Sequence, residues 1–507
     1  MKRFYAFFIV LCFVSAFGIR NGETATGTTA PPTVPAYDID KIVKDLPDGQ
    51  RWIKHMEEEL LPFWTMKTAL GNPVGGFPTY RANDGSLVDP NNLPPEYKAA
   101  MAGGLCGLVD QSKQDYVRVH ARQTFGYGIA FQMTGKEEYL DHMKAGVDYF
   151  RKNAIDKNGG AYSYKENGVW GPASPERTSQ DMAYALSGIG FYYYLTRDED
   201  VLPDILKIKN YIFETYFDKE LGLLKWVNKD SKSKVCGDEN TTSQRELVAQ
   251  LDQVYAYMTW LTPSLPEPYQ TEWKKDLHKV ATIMMEQFFS EKYGFFWGRI
   301  TSSATKKIGE PHTDFGHSIK TLWLIYQIGK YTNDMALVNF GKENAIRLID
   351  VAYDPYTGSW TKRFDANGVL DYDKEWWSLD ELDQTTATIS LVDPSYARYL
   401  VKTYDYWFTY MIDQKYKEAW HYVDGKTNKP VLKYPKQHSW KNFLHTSEHA
   451  LVGYMTTQQL KGKPITLYYA FKDKKSTDFI HPYFYAGKVT HITQIGNVYK
   501  VEIQDLR

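Results

Sequence analysis

Cysteine is scarce, with three residues in 507. Stability must therefore come from an apolar core and not from a disulfide framework. Cys12 lies in the apolar leader. Cys106 and Cys236 could bond in an oxidising compartment, and two cysteines over this length fit no bond equally well. An excess of one charge is also missing: 60 Lys and Arg balance 61 Asp and Glu, for a net charge of −1. Nucleic-acid binding needs a cationic face that displaces counterions, so that class is excluded. Beyond the leader no apolar run is long enough to cross a bilayer. There is no glycine-rich phosphate loop, no dinucleotide fingerprint and no convincing cluster of metal ligands. The expectation is no cofactor and no metal.

Aromatic residues are abundant: 39 Tyr, 25 Phe and 14 Trp make 15% of the chain. Most must pack the core, and some would suit a cleft for sugars, whose C–H faces stack on flat rings. Residues 1–18 read as a cleaved secretory signal. MKR is the basic start, FYAFFIVLCFVSAFG is too short for an anchor, and Ala16-Phe17-Gly18 is a small-x-small cleavage site. A lipoprotein signal on Cys12 is disfavoured, because IVLCFV lacks the small residue expected before a lipidated cysteine. Residues 19–40, with NGETATGTTAPPTVPA, read as a disordered linker. The protein is expected to be secreted or periplasmic, with no membrane span after cleavage.

A pattern of acid, short turn and aromatic pair recurs at Asp156/Gly160, Asp218/Gly222, Glu291/Gly294, Asp354/Gly358 and Asp413/Trp420. The acids are 62, 73, 63 and 59 residues apart, and a period of this size signals a repeated supersecondary unit. Helical periodicity places helices over 50–67, 112–133, 137–153, 178–196, 200–217, 243–261, 269–289, 315–330, 333–352, 377–391, 394–413 and 440–459. Twelve helices make six hairpins. The expected fold is all-α, an (α/α)6 barrel over 41–464, preferred to an open solenoid because neither end has a polar capping repeat. Windows such as 137–153 are amphipathic, as an outer ring requires, whereas 315–330 and 440–459 are apolar with single polar residues. Residues 465–507 alternate apolar and polar and read as a small β-meander.

Five stretches carry a resemblance: VGGFPTYRANDG, VHARQTFGYGIAF, DFGHSIKTLWLI, KEWWSLDEL and KNFLHTSEHA. In this order the chain resembles the N-acylglucosamine 2-epimerase family, which includes cellobiose 2-epimerases and mannose isomerases, over most of 50–460. The resemblance implies an (α/α)6 barrel and proton abstraction beside a sugar carbonyl. A base removes the C2 proton of the open-chain sugar to give an enediolate. An acid on the other face returns it to C2, or to C1 for a ketose. Neutral imidazoles suit both tasks near pH 7, and a guanidinium suits the oxyanion. Carried over residue by residue, His317 and His445 take the two histidine positions and Arg122 the arginine. Trp376 and Trp377 take the sugar-lining pair, one facing the cavity and one packing, and Glu381 the acid after them. Asp181 and Tyr127 are further inner-helix candidates. The implied partner is a mono-, di- or oligosaccharide.

Several family positions differ. Lys320 replaces the acid three residues after the first histidine, and Glu448 the arginine three after the second, which suggests a swapped Lys320–Glu448 ion pair. A third histidine is missing from AQLDQ, where Gln250 and Gln253 stand, and Leu444 replaces a tyrosine. Two other enzyme classes fit the barrel. A uronate lyase would use the same base with Arg122 and Lys320. A glycosidase would need two carboxylates, with Asp380, Glu381 and Asp383 as candidates. A non-catalytic glycan-binding relic is the third alternative. His445-Thr-Ser-Glu448-His449 also spells H-x-x-E-H, but no acidic ligand follows on a helix, so a zinc protease is disfavoured.

Overall fold

The inner helices are buried on every side and the outer ones on one face, which is what a double ring demands of a chain. The computed structural model describes residues 37–103, 109–110, 112–171, 177–227, 245–472 and 479–507. The leader, most of the linker, Cys106 and Cys236 lie outside them. Residues Ile39–Arg507 form one compact unit, starting with a short helix at Ile39–Asp45, two residues before the expected boundary.

We number the barrel helices α1 (49–64), α2 (Val117–Thr134), α3 (Glu137–Asn153), α4 (Ser179–Thr196), α5 (Leu202–Tyr216), α6 (247–261), α7 (269–288), α8 (Phe315–Thr332), α9 (Met335–Ala352), α10 (Trp376–Ser390), α11 (397–411) and α12 (Phe443–Leu460). Even-numbered helices form the inner ring. Each touches the next, and α12 closes against α2. Outer α3 buries Tyr139, Met143, Val147 and Phe150 along one stripe. Each contributes about 1.5–3 kcal/mol of transfer free energy. Inner α4 is buried along its whole length. Side-chain caps start several inner helices: Thr178 accepts from the Asp181 N–H, Asp314 from His317 and Asn442 from Leu444.

The repeat is a miniature antiparallel hairpin after five of the six outer helices, α3 to α11. The pairs are Phe217–Asp218 with Leu223–Leu224, Phe289–Ser290 with Phe295–Phe296, and Tyr353–Asp354 with Ser359–Trp360. Single bridges at Ile155/Ala161 and Ile412/Ala419 complete the set. The register corrects one repeat position: Ser290, not Glu291, is equivalent to Asp218 and Asp354. In all three, the carbonyl of that residue accepts from a glycine (Gly222, Gly294 or Gly358) held at positive φ. Most of the acids clasp the next loop, as Asp156–Arg177 at 2.6 Å, Asp354–Lys374 at 3.0 Å and Asp413–Lys436 at 2.5 Å. The hairpins thus lead the chain from these five outer helices back to the start of an inner one.

The tail holds three antiparallel strands, β1 (Ile465–Tyr469), β2 (Lys488–Ile495) and β3 (Val498–Gln504), but not as a sequential meander. The order is β1-β3-β2, with the last strand in the middle. The middle position suits β3, which alternates buried Val501 and Ile503 with less buried neighbours, whereas β2 is exposed along most of its length.

Candidate active site

All six inner helices start at the same end of the barrel, and their first turns line one cavity of about 400 Å³. Five of the twelve histidines line it: His312, His317, His421, His438 and His445. So do Arg122, Lys320, Trp376 and Trp377. The cap of α8 positions His317. One oxygen of Asp314 accepts the His317 backbone N–H at 2.8 Å, and the other faces its Nδ1 at 2.7 Å. A carboxylate only accepts, so Nδ1 carries the proton and the Nε2 lone pair is left available. Burial pulls His317 below the usual imidazole range, against the opposing pull of Asp314. The ring is neutral near pH 7.

His445 lies on the first turn of α12. Its Nδ1 is 3.2 Å from the Tyr255 hydroxyl and 3.3 Å from Glu381. Tyr255 donates to Glu448 at 2.5 Å, so its oxygen accepts from His445. Tyr483, from the tail, donates to the other Glu448 oxygen. Burial, and then the charges of Lys320 and Arg122, hold His445 well below the usual range. Both histidines therefore have Nδ1 engaged. The Trp377 ring stands beside each, 4.6 Å from His317 and 6.0 Å from His445 between centroids.

Arg122 lies 3.4 Å over the Tyr184 ring and donates to the Trp440 carbonyl at 3.2 Å. Its Nε has no hydrogen-bond partner, and it makes no ion pair among the described residues. Lys320 lies 3.5 Å from Asp252 and 3.8 Å from Glu381. Burial would lower Lys320, but Tyr184, Asp252 and Glu381 hold its ammonium above the usual lysine range. The swapped pair is thus not direct. Lys320 and Glu448 share a cluster, yet Lys320 pairs with Asp252 and Glu381, while two tyrosine hydroxyls hold Glu448. Burial raises Glu448 to about 6 and Glu381 well above the carboxylate range. Glu381, Glu448 and His445 Nδ1 offer atoms within 4.8 Å of one another, the geometry of a small cation site. The Lys320 ammonium and the two hydroxyls already occupy its charge and donors.

Four expected site residues are elsewhere, among them Glu448, which is fully buried on Tyr255 and Tyr483 and does not line the cavity. Tyr127 is in the core, donating to the Trp64 carbonyl at 2.6 Å. Asp181 is bound to Arg118 at 2.7 Å and does not line the cavity. Glu381 lies beneath the floor and is fully buried. Both tryptophans line the cavity, against the expectation that one would only pack; Trp376 stacks edge-on to His421 at 4.5 Å. Gln250 and Gln253 hold backbone at Leu224 and Ser179, while Asp252 between them faces the cavity. Of the glycosidase candidates, Asp383 is held by Trp360, Thr403 and His449, and neither it nor Asp380 lines the cavity. His449 therefore turns away from His445, which removes the H-x-x-E-H reading.

His421 and His438 were not expected in the site. Their rings hydrogen-bond at 2.7 Å, and His421 faces Glu375 at 3.6 Å. Burial lowers His421 to about 4. Glu375 also pairs with Lys362 at 3.1 Å and accepts from Tyr422 at 2.7 Å. The only available signal was histidine density in the loops before α12.

A family model described as N-acylglucosamine 2-epimerase (GlcNAc 2-epimerase) matches residues 105–446. A cellobiose 2-epimerase of Ruminococcus albus is 21% identical over 282 residues, spanning 53% of this chain and 68% of its own. The cellobiose 2-epimerase structure from Bacillus thermoamylovorans B4167 superposes with a TM-score of 0.66 at 18% identity, over 80% of this chain and 98% of its own. A D-mannose isomerase structure gives 0.62 at 15% identity, over 84% and 100%. These likenesses show the fold, an (α/α)6 barrel.

Proposed function

The chain belongs to the N-acylglucosamine 2-epimerase family, and from that premise we propose that it epimerises or isomerises a reducing sugar through an enediolate, with His317 and His445 as the proton-transfer pair. One observation carries this reading: two neutral imidazoles stand beside one indole in one cavity, each with Nδ1 held and Nε2 left to exchange a proton. With the open-chain sugar stacked on Trp377, one imidazole takes the C2 proton and its electrons move to the carbonyl oxygen. The Arg122 guanidinium, which has no carboxylate partner among the described residues, meets that oxyanion. The first imidazole then releases its proton to solvent, and the second takes a solvent proton at Nε2 and delivers it to C2 from the opposite face, or to C1, with the O2 hydroxyl proton moving to O1, to give the ketose. Trp376 and Trp377 are the stacking platform. Lys320 and Glu448 tune His445 from behind. The leader at 1–18 supports action on a sugar outside the cytoplasm.

A lyase reading draws on Arg122 and Lys320, which could neutralise a uronate. The Lys320 charge is already engaged by Asp252 and Glu381, which favours the neutral sugar. A hydrolase is less favoured still. The lining acids Asp252, Asp314 and Glu375 are each tied to a lysine or an imidazole.

The test is NMR in D2O with reducing hexoses, disaccharides and oligouronates. Deuterium entering C2 of an aldose, and lost in both His317→Ala and His445→Ala, is the expected result. Vinylic signals from the uronates would replace the reading with a lyase. Exchange that survives either substitution would remove the histidines from their roles.

A further inference from the structure

The inner helices have a second end, and it is not sealed. A cavity of about 780 Å³ opens where the last turns of α8 and α10 meet the tail. Ten residues separate Lys320 from Lys330 on α8, about 15 Å at 1.5 Å per residue, so this cavity is distinct from the histidine site. Its volume falls within the range of small-molecule sites, roughly 300–1,000 Å³.

Most of its wall is apolar or aromatic, with Tyr326, Phe484 and Tyr485 contributing rings. Its polar lining is Thr259, Asn333, Thr388, His481, Gln327, Lys330 and Arg507, and the last three carry the binding argument. Gln327 is 2% exposed, and neither its amide nitrogen nor its amide oxygen has a hydrogen-bond partner among the described residues. A buried amide left unsatisfied costs about 1–3 kcal/mol, so a partner entering the cavity would recover that cost. Lys330 is half-buried, with its ammonium 4.7 Å over the Tyr326 ring and no carboxylate partner among the described residues. Arg507 adds a second cation at the rim. A partly buried ammonium without a counter-charge pays a desolvation cost that an anion beside it would offset.

We propose that this cavity is a second ligand site, and that it takes an amphipathic carboxylic acid. The carboxylate would meet Lys330 and Arg507, the apolar body would lie on Tyr326, Phe484 and Tyr485, and the Gln327 amide would bond a polar substituent. Burial, with the Arg507 charge adding to it, lowers Lys330 to about 8. The ammonium is charged at pH 7, and affinity for an anion declines as pH rises through 8.

The test is calorimetric titration of the full chain at pH 7 with 2-naphthoate and with neutral 2-naphthamide. Saturable 1:1 binding of the acid is expected, at least tenfold tighter than the amide. Lys330→Met should weaken the acid at least tenfold and leave the amide within twofold. It removes a half-buried charge that has no carboxylate partner among the described residues, so its melting temperature should not fall. Gln327→Leu is the second variant and should weaken whichever probe carries a polar ring substituent, read with 6-hydroxy-2-naphthoate. C2 exchange should be unchanged in both variants. The proposal is overturned by no saturable binding of either acid at millimolar concentration, or by acid affinity that is the same in Lys330→Met as in the parent.

Discussion

Asp314→Asn exchanges one oxygen for an amino group, and the cap of α8 decides where that group goes. In the parent, one carboxylate oxygen accepts the His317 backbone N–H and the other faces Nδ1. In the amide, only the oxygen can keep the cap, so the amino group faces Nδ1. Two donors cannot face each other, so Nδ1 becomes an acceptor and the ring proton moves to Nε2. The lone pair that takes the C2 proton is then lost. Flipping the amide restores the tautomer but sets its N–H against the backbone N–H. A lost N-cap costs about 0.5–2 kcal/mol, and a bond to a charged group about 1.5–3. Together these come to about 2–5 kcal/mol, or roughly 30- to 5,000-fold in kcat. Asn caps helices as well as Asp does, so the melting temperature should stay within a few degrees. The assay is the initial rate of deuterium entry at C2. Because Asp314 raises the His317 pKa, its loss should also move the acid limb of the profile to lower pH. A kcat within threefold of the parent, in a protein that melts normally, would refute the assignment of His317 as a base oriented by Asp314.

The remaining predictions are briefer. Both histidines are held below 6.5, so the base form persists into mild acid, and the acid limb of kcat/KM should lie below pH 6.5; a limb above 7 contradicts the burial argument. Glu448 is raised from 4.5 to about 6 in the fold, so the fold binds this proton more tightly than the unfolded chain does. Its contribution is fully present below about pH 4.5 and declines as pH rises to about 6. Denaturant titrations across that window should show this slope in the parent and lose it in Glu448→Gln. Lys374→Met leaves the buried Asp354 without its cation and should cost about 3–5 kcal/mol in denaturant unfolding. A loss under about 1 kcal/mol would mean the hairpin clasp is not structural.

Much of this molecule was legible in local order. Helix windows such as 137–153 and 178–196 matched within a residue or two, because burial on one face or on all faces leaves a periodic or a uniform apolar pattern in the chain. The hairpin repeat was legible because five outer helices end in the same tight turn; its one misplaced position, Glu291 for Ser290, came from reading the acid and not the register. His317 stood out because an ionisable ring in an apolar run needs a reason to be there.

What the chain could not disclose is direction. An inner helix buried all round has no period, so nothing local says which tyrosine on it meets the cavity. Tyr127 packs in the core while Tyr184 lies beside Arg122, and Asp252 faces the site between two glutamines that do not. The His445 network joins residues 193 and 35 positions from Glu448, at Tyr255 and Tyr483. The central place of β3 was equally hidden, since strand order is a choice of partners. Sequence by itself determined where the chain is helical and which residue types could do the chemistry, because those follow from propensity and hydropathy over a few turns. Only the closed ring decided which side chains share the cavity, because that depends on contacts between helices far apart in the chain.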